Sequence, residues 1–327
     1  MEGINMKYSG IGGQAVLEGV MMRNGDKYAV AVRKPDGEIA VESREYKGLK
    51  IAKKVKNLPL IRGMFGFVDS LILGMQSLNI SAEFFMDEEA LEEPGKFERF
   101  LRDKLGEKTD DIIMGVTMVT SIIIAIAVFM MLPYFLSIGL TKLTSSKMII
   151  AIAEGVLRLF IFLAYIKAIS YMKDIQRVFM YHGAEHKCIN CIEHGLELTV
   201  ENVRKSSRQH KRCGTSFLLF VMIVSIIFFF FIRVDSPLLK VVLRLALVPV
   251  IAGVSYEIIR LAGKYDNFLV NLISKPGLML QGMTTKEPDD DMIEVGIASV
   301  DAVFDWRGYL RENFDNKDFS IDNSRAS

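Results

Sequence analysis

The chain has 327 residues, of which 50% are hydrophobic and 24% are charged, and its mean hydropathy is +0.27. The formal net charge of +1 provides no global positive field, so the composition argues against a nucleic-acid partner. Because many apolar and many charged residues coexist, we expect them in separate blocks, as in a membrane protein with soluble attachments. Three cysteines cannot complete a disulfide framework, which favours a reducing compartment.

Residues 1–61 are predicted to form an N-terminal segment with a β-hairpin. Residues 27–46 alternate in polarity on both sides of Pro35-Asp36-Gly37, which is typical of a turn. The preceding stretch, GIGGQAVLEGVMMR, has no phosphate-loop lysine at the required place, so we interpret its glycines as shaping a turn. The first ten residues lack an apolar core, so we expect no signal peptide.

Residues 62–110 are predicted to form an interfacial helix followed by a charged linker. Residues 62–86 are apolar around much of a helix, with Asp69, Gln76 and Asn79 as interruptions. This pattern favours a helix in the membrane interface or packed on the bundle over a fifth span. Residues 87–110 are strongly charged and indicate a solvated linker or connecting helix.

Residues 111–262 are predicted to form a four-helix membrane domain. The four apolar blocks are residues 112–141, 148–171, 214–232 and 237–262. The first block is uncharged over 30 residues and the third over 19, close to the length of about 20 residues that a spanning helix needs.

The distribution of lysine and arginine predicts the orientation of these blocks. The loop 172–215 contains eight lysine and arginine residues, whereas the loop 137–147 contains only Lys142 and Lys147. The positive-inside rule therefore places 172–215 and both termini in the cytoplasm, with residues 263–327 as a cytoplasmic C-terminal segment. The sequence thus predicts a mainly α, polytopic protein of the cell membrane, with the lipid bilayer as its partner.

Two blocks contain charges. Glu154 and Arg158 are four residues apart, so they would face each other on one side of a helix. Such a pair should face the bundle interior, as a structural ion pair or beside a polar cavity. In the fourth block we expect the charged ends, including Lys240 and Arg244, to snorkel outward.

All four histidines and all three cysteines lie between residues 182 and 213. His182, Glu185 and His186 match the inverted zinc-hydrolase pattern H-x-x-E-H, which we place on a helix that continues from the second span. Two imidazoles one turn apart can bind one divalent metal ion, with zinc as the first choice. The neighbouring carboxylate of Glu185 can then act as the general base that activates a water molecule.

A third ligand must come from elsewhere in the chain. His210 is our first candidate and Glu257, near the cytoplasmic end of the fourth span, is our second. A site with an open position would be catalytic, whereas a site with four protein ligands, for example with Cys213 added, would be structural.

Two interpretations without metal stay open. The histidines can form a hydrogen-bonded polar core, since a histidine on an apolar helix face is commonly a core residue. Cys188 and Cys191 have the spacing of a redox pair, although no thioredoxin-like βαβ pattern surrounds them.

Three long stretches resemble the bacterial YqhQ-like family of uncharacterised, predicted metal-dependent membrane proteins. They are GGQAVLEGVMMR at 12–23, YHGAEHKCINCIEHGLELTVENVRKSSRQHKRCGTSFL at 181–218 and KPGLMLQGMTTKEPDDDMIEVGIASV at 275–300. The resemblance implies a metal site and supplies no reaction. This chain has Lys211 where the family often has proline and Cys188 where threonine is common, which weakens a role for Cys188 as a ligand or redox partner.

The sequence therefore favours a zinc-type hydrolase at the cytoplasmic face of the bacterial inner membrane, acting on a membrane peptide or a lipid headgroup. The alternative is a non-catalytic scaffold, or a partner of the membrane-protein insertion machinery, in which a structural metal pins the loop to the bundle. A third candidate is an ion transporter that uses Glu154 and Arg158, although no broken-helix pair recurs in two halves of the chain.

Overall fold

The computed structural model describes residues 6–49, 58–85, 109–232, 234, 236–265 and 267–314. Within these ranges the chain is mainly helical, with one small sheet. The predicted charged linker, residues 87–110, lies outside the described residues except at its last two positions.

The strands are β1 (Gly12–Val16), β2 (Gly19–Asn24), β3 (Lys27–Arg33) and β4 (Ile39–Glu45). The helices are α1 (Ile61–Glu83), α2 (Thr109–Ile126), α3 (Leu132–Ile138), α4 (Lys147–Ile169), α5 (Lys173–Glu193), α6 (Val200–Lys205), α7 (Gly214–Phe230), α8 (Pro237–Lys264), α9 (Phe268–Thr284), α10 (Asp290–Asp301) and α11 (Trp306–Phe314). A π-helical turn, Ala127–Met131, joins α2 to α3, and a 3-10 turn, Gly139–Lys142, follows α3.

The sheet is an antiparallel meander in the order β1-β2-β3-β4. The predicted hairpin is confirmed as β3 and β4. The interpretation of the glycine-rich stretch as a turn alone is wrong, because it forms β1 and β2. Its glycines permit close packing instead. A Cβ atom at Gly19 would lie 2.2 Å from the carbonyl oxygen of Ala31, and one at Gly13 would lie 2.9 Å from Cγ of Glu185.

Three helical stretches in the described part of the chain are long and apolar enough to cross a membrane. They are Gly115–Lys142, Lys147–Ile169 and Pro237–Gly263. The third predicted span forms α7, which is apolar but has only 17 residues, or ~25 Å. It packs against α4, α8 and α9. Three of the four predicted spans thus have the length and composition of a membrane helix.

Arg244 does not snorkel outward, so that prediction is wrong. Its Nη2 donates to Oε2 of Glu154 at 2.7 Å, while Nη2 of Arg158 donates to Oε1 of the same carboxylate at 2.7 Å. Arg244 lies seven residues into α8, ~10 Å from the helix end, where pairing with a buried carboxylate offsets the cost of burial. The predicted pair of Glu154 and Arg158 faces the interior of the bundle.

The largest hydrophobic core lies between the sheet and the helices α5, α6, α10 and α11. Met22 of β2, Ile189 and Ile192 of α5, and Ile293 of α10 are fully buried there. The helix α1 covers a second cluster on the sheet through Leu73 and packs on α8. It is not among the three candidate spans and packs on the bundle, in agreement with the prediction for residues 62–86.

The histidine motif lies on α5, which starts anew instead of continuing α4. The helix α4 ends at Ile169 and α5 begins at Lys173, with Met172 in an extended conformation between them. The predicted continuous helix is therefore wrong at this junction. Beyond it, the sheet, α6 and α10 enclose the C-terminal half of α5 and fix the orientation of its side chains.

We expect Gly183→Ala to lower the free energy of unfolding by at least ~1–3 kcal/mol, because it overpacks α5. A Cβ atom at Gly183 would lie 2.1 Å from the carbonyl oxygen of Lys286. Gly282→Ala in α9 is the matched control, since a Cβ atom there meets nothing within 4 Å. This substitution should raise the free energy of unfolding by as much as ~1 kcal/mol, because alanine favours a helix over glycine. Thermal unfolding in detergent measures both, and equal stability of the two variants would contradict the close packing of α5.

Candidate metal centre

Three side chains from two parts of the chain converge beside the N-terminus of α7. His182 and His186 lie one turn apart on α5, with ring centroids 4.4 Å apart. Cys213 is the N-cap of α7, and its Sγ lies 3.2 Å from Nε2 of His182. One ligand atom from each of the three residues lies within 4.8 Å of the others.

Backbone carbonyl groups fix the tautomer of both histidines. Nδ1 of His182 lies 2.9 Å from the carbonyl oxygen of Thr284, and Nδ1 of His186 lies 2.7 Å from that of Arg208. Because a carbonyl oxygen only accepts, each Nδ1 donates its proton and each Nε2 is left for a ligand. Metal-binding histidines are commonly oriented in this way.

Glu185 lies beside the cluster but outside its three converging ligand atoms. Its carboxylate is buried, and Oε2 lies 3.4 Å from Nε2 of His186. Gly13 of β1 packs against the Glu185 side chain, which explains why this position needs a glycine. The sheet therefore holds the carboxylate next to the histidines.

Neighbouring charges shift the pKa values of His186 and Cys213 more strongly than burial does. Burial lowers the pKa of His186, but Glu185 and Cys213 raise it to about 9. Burial raises the pKa of Cys213, but the imidazoles of His182 and His186 lower it well below its usual value. Both shifts favour a thiolate at Cys213 beside protonated imidazole, and a divalent cation would compete with those protons for the same ligand atoms.

The loop between α6 and α7 is held against α5 by two buried polar side chains. Nζ of Lys187 donates to the carbonyl oxygens of Arg204 and Ser206, both at 2.9 Å. Nδ2 of Asn190 donates to those of Ser207 at 2.6 Å and Gln209 at 3.0 Å. These bonds flank the carbonyl group that orients His186.

His210, the first candidate for the third ligand, lies next to the cluster but pairs with Glu193. Its ring centroid is 5.7 Å from that of His186, and its Nε2 is 3.4 Å from Oε2 of Glu193. Gln281 fixes the His210 backbone through two hydrogen bonds of 2.8 Å. The third converging ligand atom belongs to Cys213 instead.

Glu193 is the centre of a buried polar network. Nη2 of Arg212 donates to its Oε1 at 2.5 Å, and Oγ of Ser9 donates to the same oxygen at 2.7 Å. Burial raises the pKa of Glu193, but His210 and Arg212 outweigh it and lower the pKa to about 2. Because the pKa of Glu193 is lower in the folded chain than in the unfolded chain, its ionised carboxylate stabilises the fold at any pH above the unfolded pKa. This stabilisation is lost as the pH falls through the folded pKa.

We therefore expect wild type to exceed Glu193→Gln in free energy of unfolding by about 3 kcal/mol at pH 7. The difference should shrink as the pH falls from about 4.5 to 2, because Glu193 then takes up a proton. Denaturation in detergent over this pH range measures it. Glu197→Gln, at an exposed position, is the control and should show no such trend. A pH-independent difference for Glu193→Gln would contradict the ionised network.

The remaining candidates lie apart from the cluster. Glu257 forms an ion pair with Arg62 of α1, so α8 does not bring it to the histidines. Cys188 is buried in the core, where burial raises its thiol pKa. Burial likewise raises the pKa of Cys191 to about 12, and its Sγ donates to the carbonyl oxygen of Glu197 at 3.3 Å. Burial thus disfavours the reactive thiolate form of both cysteines, which argues against a redox pair.

A cleft of about 710 Å³ opens beside the cluster. The glycine-rich start of β1, including Gly12 and Gly13, forms one wall, and His182 with Thr215 forms another. Arg23 and Arg212 also line the cleft, and Arg212 pairs with Glu193 behind it. A ligand in the cleft therefore reaches the cluster at the half-buried imidazole of His182.

The carbonyl groups that orient the imidazoles could not be predicted from the sequence, because any residue type can supply a carbonyl. Thr284, however, lies inside the third family-like stretch, residues 275–300. The length of that stretch is the signal that could have indicated a structural partner of the motif.

Comparison with known proteins places the chain in a family. The family model described as "Protein of unknown function (DUF1385)" matches residues 58–306. The "Uncharacterized protein YqhQ" of Bacillus subtilis (strain 168) is 37% identical over 308 residues, which are 92% of this chain and 94% of the relative. No solved structure matches the chain. The chain therefore belongs to the DUF1385 family and has a YqhQ-like sequence along nearly its whole length.

Proposed function

We propose that the protein is a membrane hydrolase in which His182, His186 and Cys213 bind a divalent cation, with Zn²⁺ as the first choice. The convergence of their ligand atoms within 4.8 Å is the observation that supports this function most strongly. Two imidazole nitrogens and a thiolate suit zinc, and three protein ligands leave one position open for catalysis. The carbonyl groups that accept from both Nδ1 atoms leave each Nε2 free to bind the cation.

Glu185 is the residue for proton transfer in this proposal. A Zn²⁺ ion held by His182, His186 and Cys213 would supply Lewis acidity toward a water molecule and toward the carbonyl or phosphoryl oxygen of the substrate. Glu185 accepts the proton of that water as general base and returns it to the leaving group. Its buried carboxylate lies 3.4 Å from Nε2 of His186, beside the proposed cation.

The cleft supplies the substrate site. Arg23 can pair with an anionic group, and the glycines of β1 let a substrate approach the backbone closely. A lipid headgroup or a membrane peptide meets this description. In the topology that we propose, α7 is a fourth span. The cleft and both termini face the cytoplasm, because the loop 172–215 contains eight lysine and arginine residues and the loop 137–147 only two.

A non-catalytic scaffold, such as a partner of the membrane-protein insertion machinery, is the second candidate. The burial of His186 and Cys213, which are 2% and 4% exposed, favours it because structural metal sites are closed. In that case Glu185 would complete a four-ligand site.

Metal removal tests the hydrolase. The detergent-purified chain should hydrolyse short-chain phospholipids or fluorogenic membrane peptides, lose this activity after dialysis against a chelator and regain it with Zn²⁺. Hydrolysis that survives complete metal removal would contradict the proposal. A chain that retains metal and hydrolyses neither class of probe would favour the scaffold.

A further inference from the structure

Three charged side chains lie buried together among the membrane helices, far from the metal centre. Arg158 and Arg244 are each 2% exposed, and both donate to the carboxylate of Glu154. Two guanidinium groups and one carboxylate leave this cluster with one net positive charge. A net charge among apolar helices is costly, so its retention calls for a function.

The cluster also has hydrogen-bond donors without acceptors. Nε and Nη1 of Arg244 and Nε of Arg158 are buried and have no hydrogen-bond partner. The rings of Tyr134 and Phe229 lie 4.7 and 5.0 Å from Cζ of Arg244 and stabilise its charge through cation–π contacts. These rings do not neutralise the charge, and a buried donor without an acceptor is expensive.

A cavity of about 300 Å³ adjoins the cluster. Arg244 and Glu154 line it together with Lys147 and Lys240, which lie in the first turns of α4 and α8. Among the described residues that line the cavity, three cations face one carboxylate. The cavity lies at the end of α4 opposite to the metal centre, since Glu154 is ~22 Å along the helix from Ile169.

We infer that this cavity binds a small oxyanion, a phosphate or carboxylate group, with Arg244 and Lys240 as its main partners. An oxyanion would neutralise the net charge of the cluster and give acceptors to the donors of Arg244, for which a guanidinium is well suited. The cavity is large enough for one such group. A free anion and the phosphate of a lipid headgroup offer the same chemistry. The apolar side chains of Ile150 and Phe230, which also line the cavity, could contact the start of an acyl chain if the oxyanion belongs to a lipid.

The experiment measures binding to the full, detergent-purified, delipidated chain with three probes. They are inorganic phosphate, short-chain phosphatidylglycerol and a neutral glycerolipid of equal chain length. We expect at least one of the two phosphate-bearing probes to bind and the neutral lipid not to bind. Binding of inorganic phosphate assigns the site to a free anion, and binding of phosphatidylglycerol alone assigns it to a headgroup.

Variants that are expected to change the binding affinity in opposite directions make the test specific. Arg244→Gln and Lys240→Gln should weaken binding at least tenfold, whereas Glu154→Gln, which removes the competing carboxylate, should strengthen it. Lys142→Gln, a basic position on the same side that does not line the cavity, should leave binding unchanged. Stronger binding of a phosphate-bearing probe without binding of the neutral lipid cannot result from misfolding, so Glu154→Gln decides the matter if Arg244→Gln fails to fold. No binding of either phosphate probe, or equal binding by wild type, Lys240→Gln and Glu154→Gln, would overturn the inference.

Discussion

Glu185→Gln is expected to reduce hydrolysis by ~10²–10⁴-fold, the usual contribution of a general base. Glutamine has nearly the same shape as glutamate, so the packing against Gly13 is kept. It cannot accept a proton from water, and the proposed proton transfer is therefore lost. The converging ligand atoms belong to other residues, so the metal content should not change. Initial rates of hydrolysis and elemental analysis of the same preparation measure the two effects.

The control for this variant is Glu201→Gln. Glu201 is exposed and pairs with Lys205 across one turn of α6, so its loss should change neither rate nor metal content. If Glu185→Gln hydrolyses its substrate as fast as wild type, Glu185 is not the general base. If the variant loses both metal and activity, Glu185 is a ligand, and the closed structural site becomes the better description.

Asn190→Ala is expected to weaken zinc binding by ~10–100-fold, the range usual for residues that orient metal ligands. Asn190 is not one of the three residues whose ligand atoms converge. It donates to the carbonyl oxygens of Ser207 and Gln209, on both sides of the carbonyl group that accepts from His186. Without these bonds the loop can move, and His186 loses its fixed orientation. Competition for zinc with a chromogenic chelator measures the affinity.

Asn202→Ala is the matched control, because Nδ2 of Asn202 makes a single hydrogen bond to Glu197 on the exposed side of α6. Thermal unfolding of both variants separates a loss of affinity from a loss of fold. An affinity of Asn190→Ala equal to that of Asn202→Ala would show that the loop carbonyl does not position His186.

The local part of the site could be predicted from the sequence. Helical spacing alone brings His182 and His186 to one stripe, and their ring centroids are 4.4 Å apart. The choice between His210 and Cys213 could not be predicted, because both precede α7 and both have suitable ligand atoms. The choice depends on Glu193 at the far end of α5. Glu193 pairs with His210, and Cys213 provides the third converging ligand atom.

The errors in the fold have a similar cause. Gly13 and Gly19 resemble turn residues in sequence, but they are strand positions where the backbone of the neighbouring strand lies too close for a Cβ atom. Arg244 was predicted to reach the membrane surface because its helix has charged ends. Its pairing with Glu154 on another helix is a tertiary contact that hydropathy does not reveal. In each case the missing information was the identity of the neighbour.

The measurement that tests the metal centre most directly is elemental analysis of the detergent-purified chain. We predict about one zinc ion per chain in wild type and almost none in His186→Ala and Cys213→Ser, since each loses one of three ligands. His194→Ala is the matched control, because this exposed histidine bonds only within its own helix and its loss should leave the metal content unchanged. Wild-type protein without stoichiometric metal, or a metal content that His186→Ala leaves unaltered, would contradict the site.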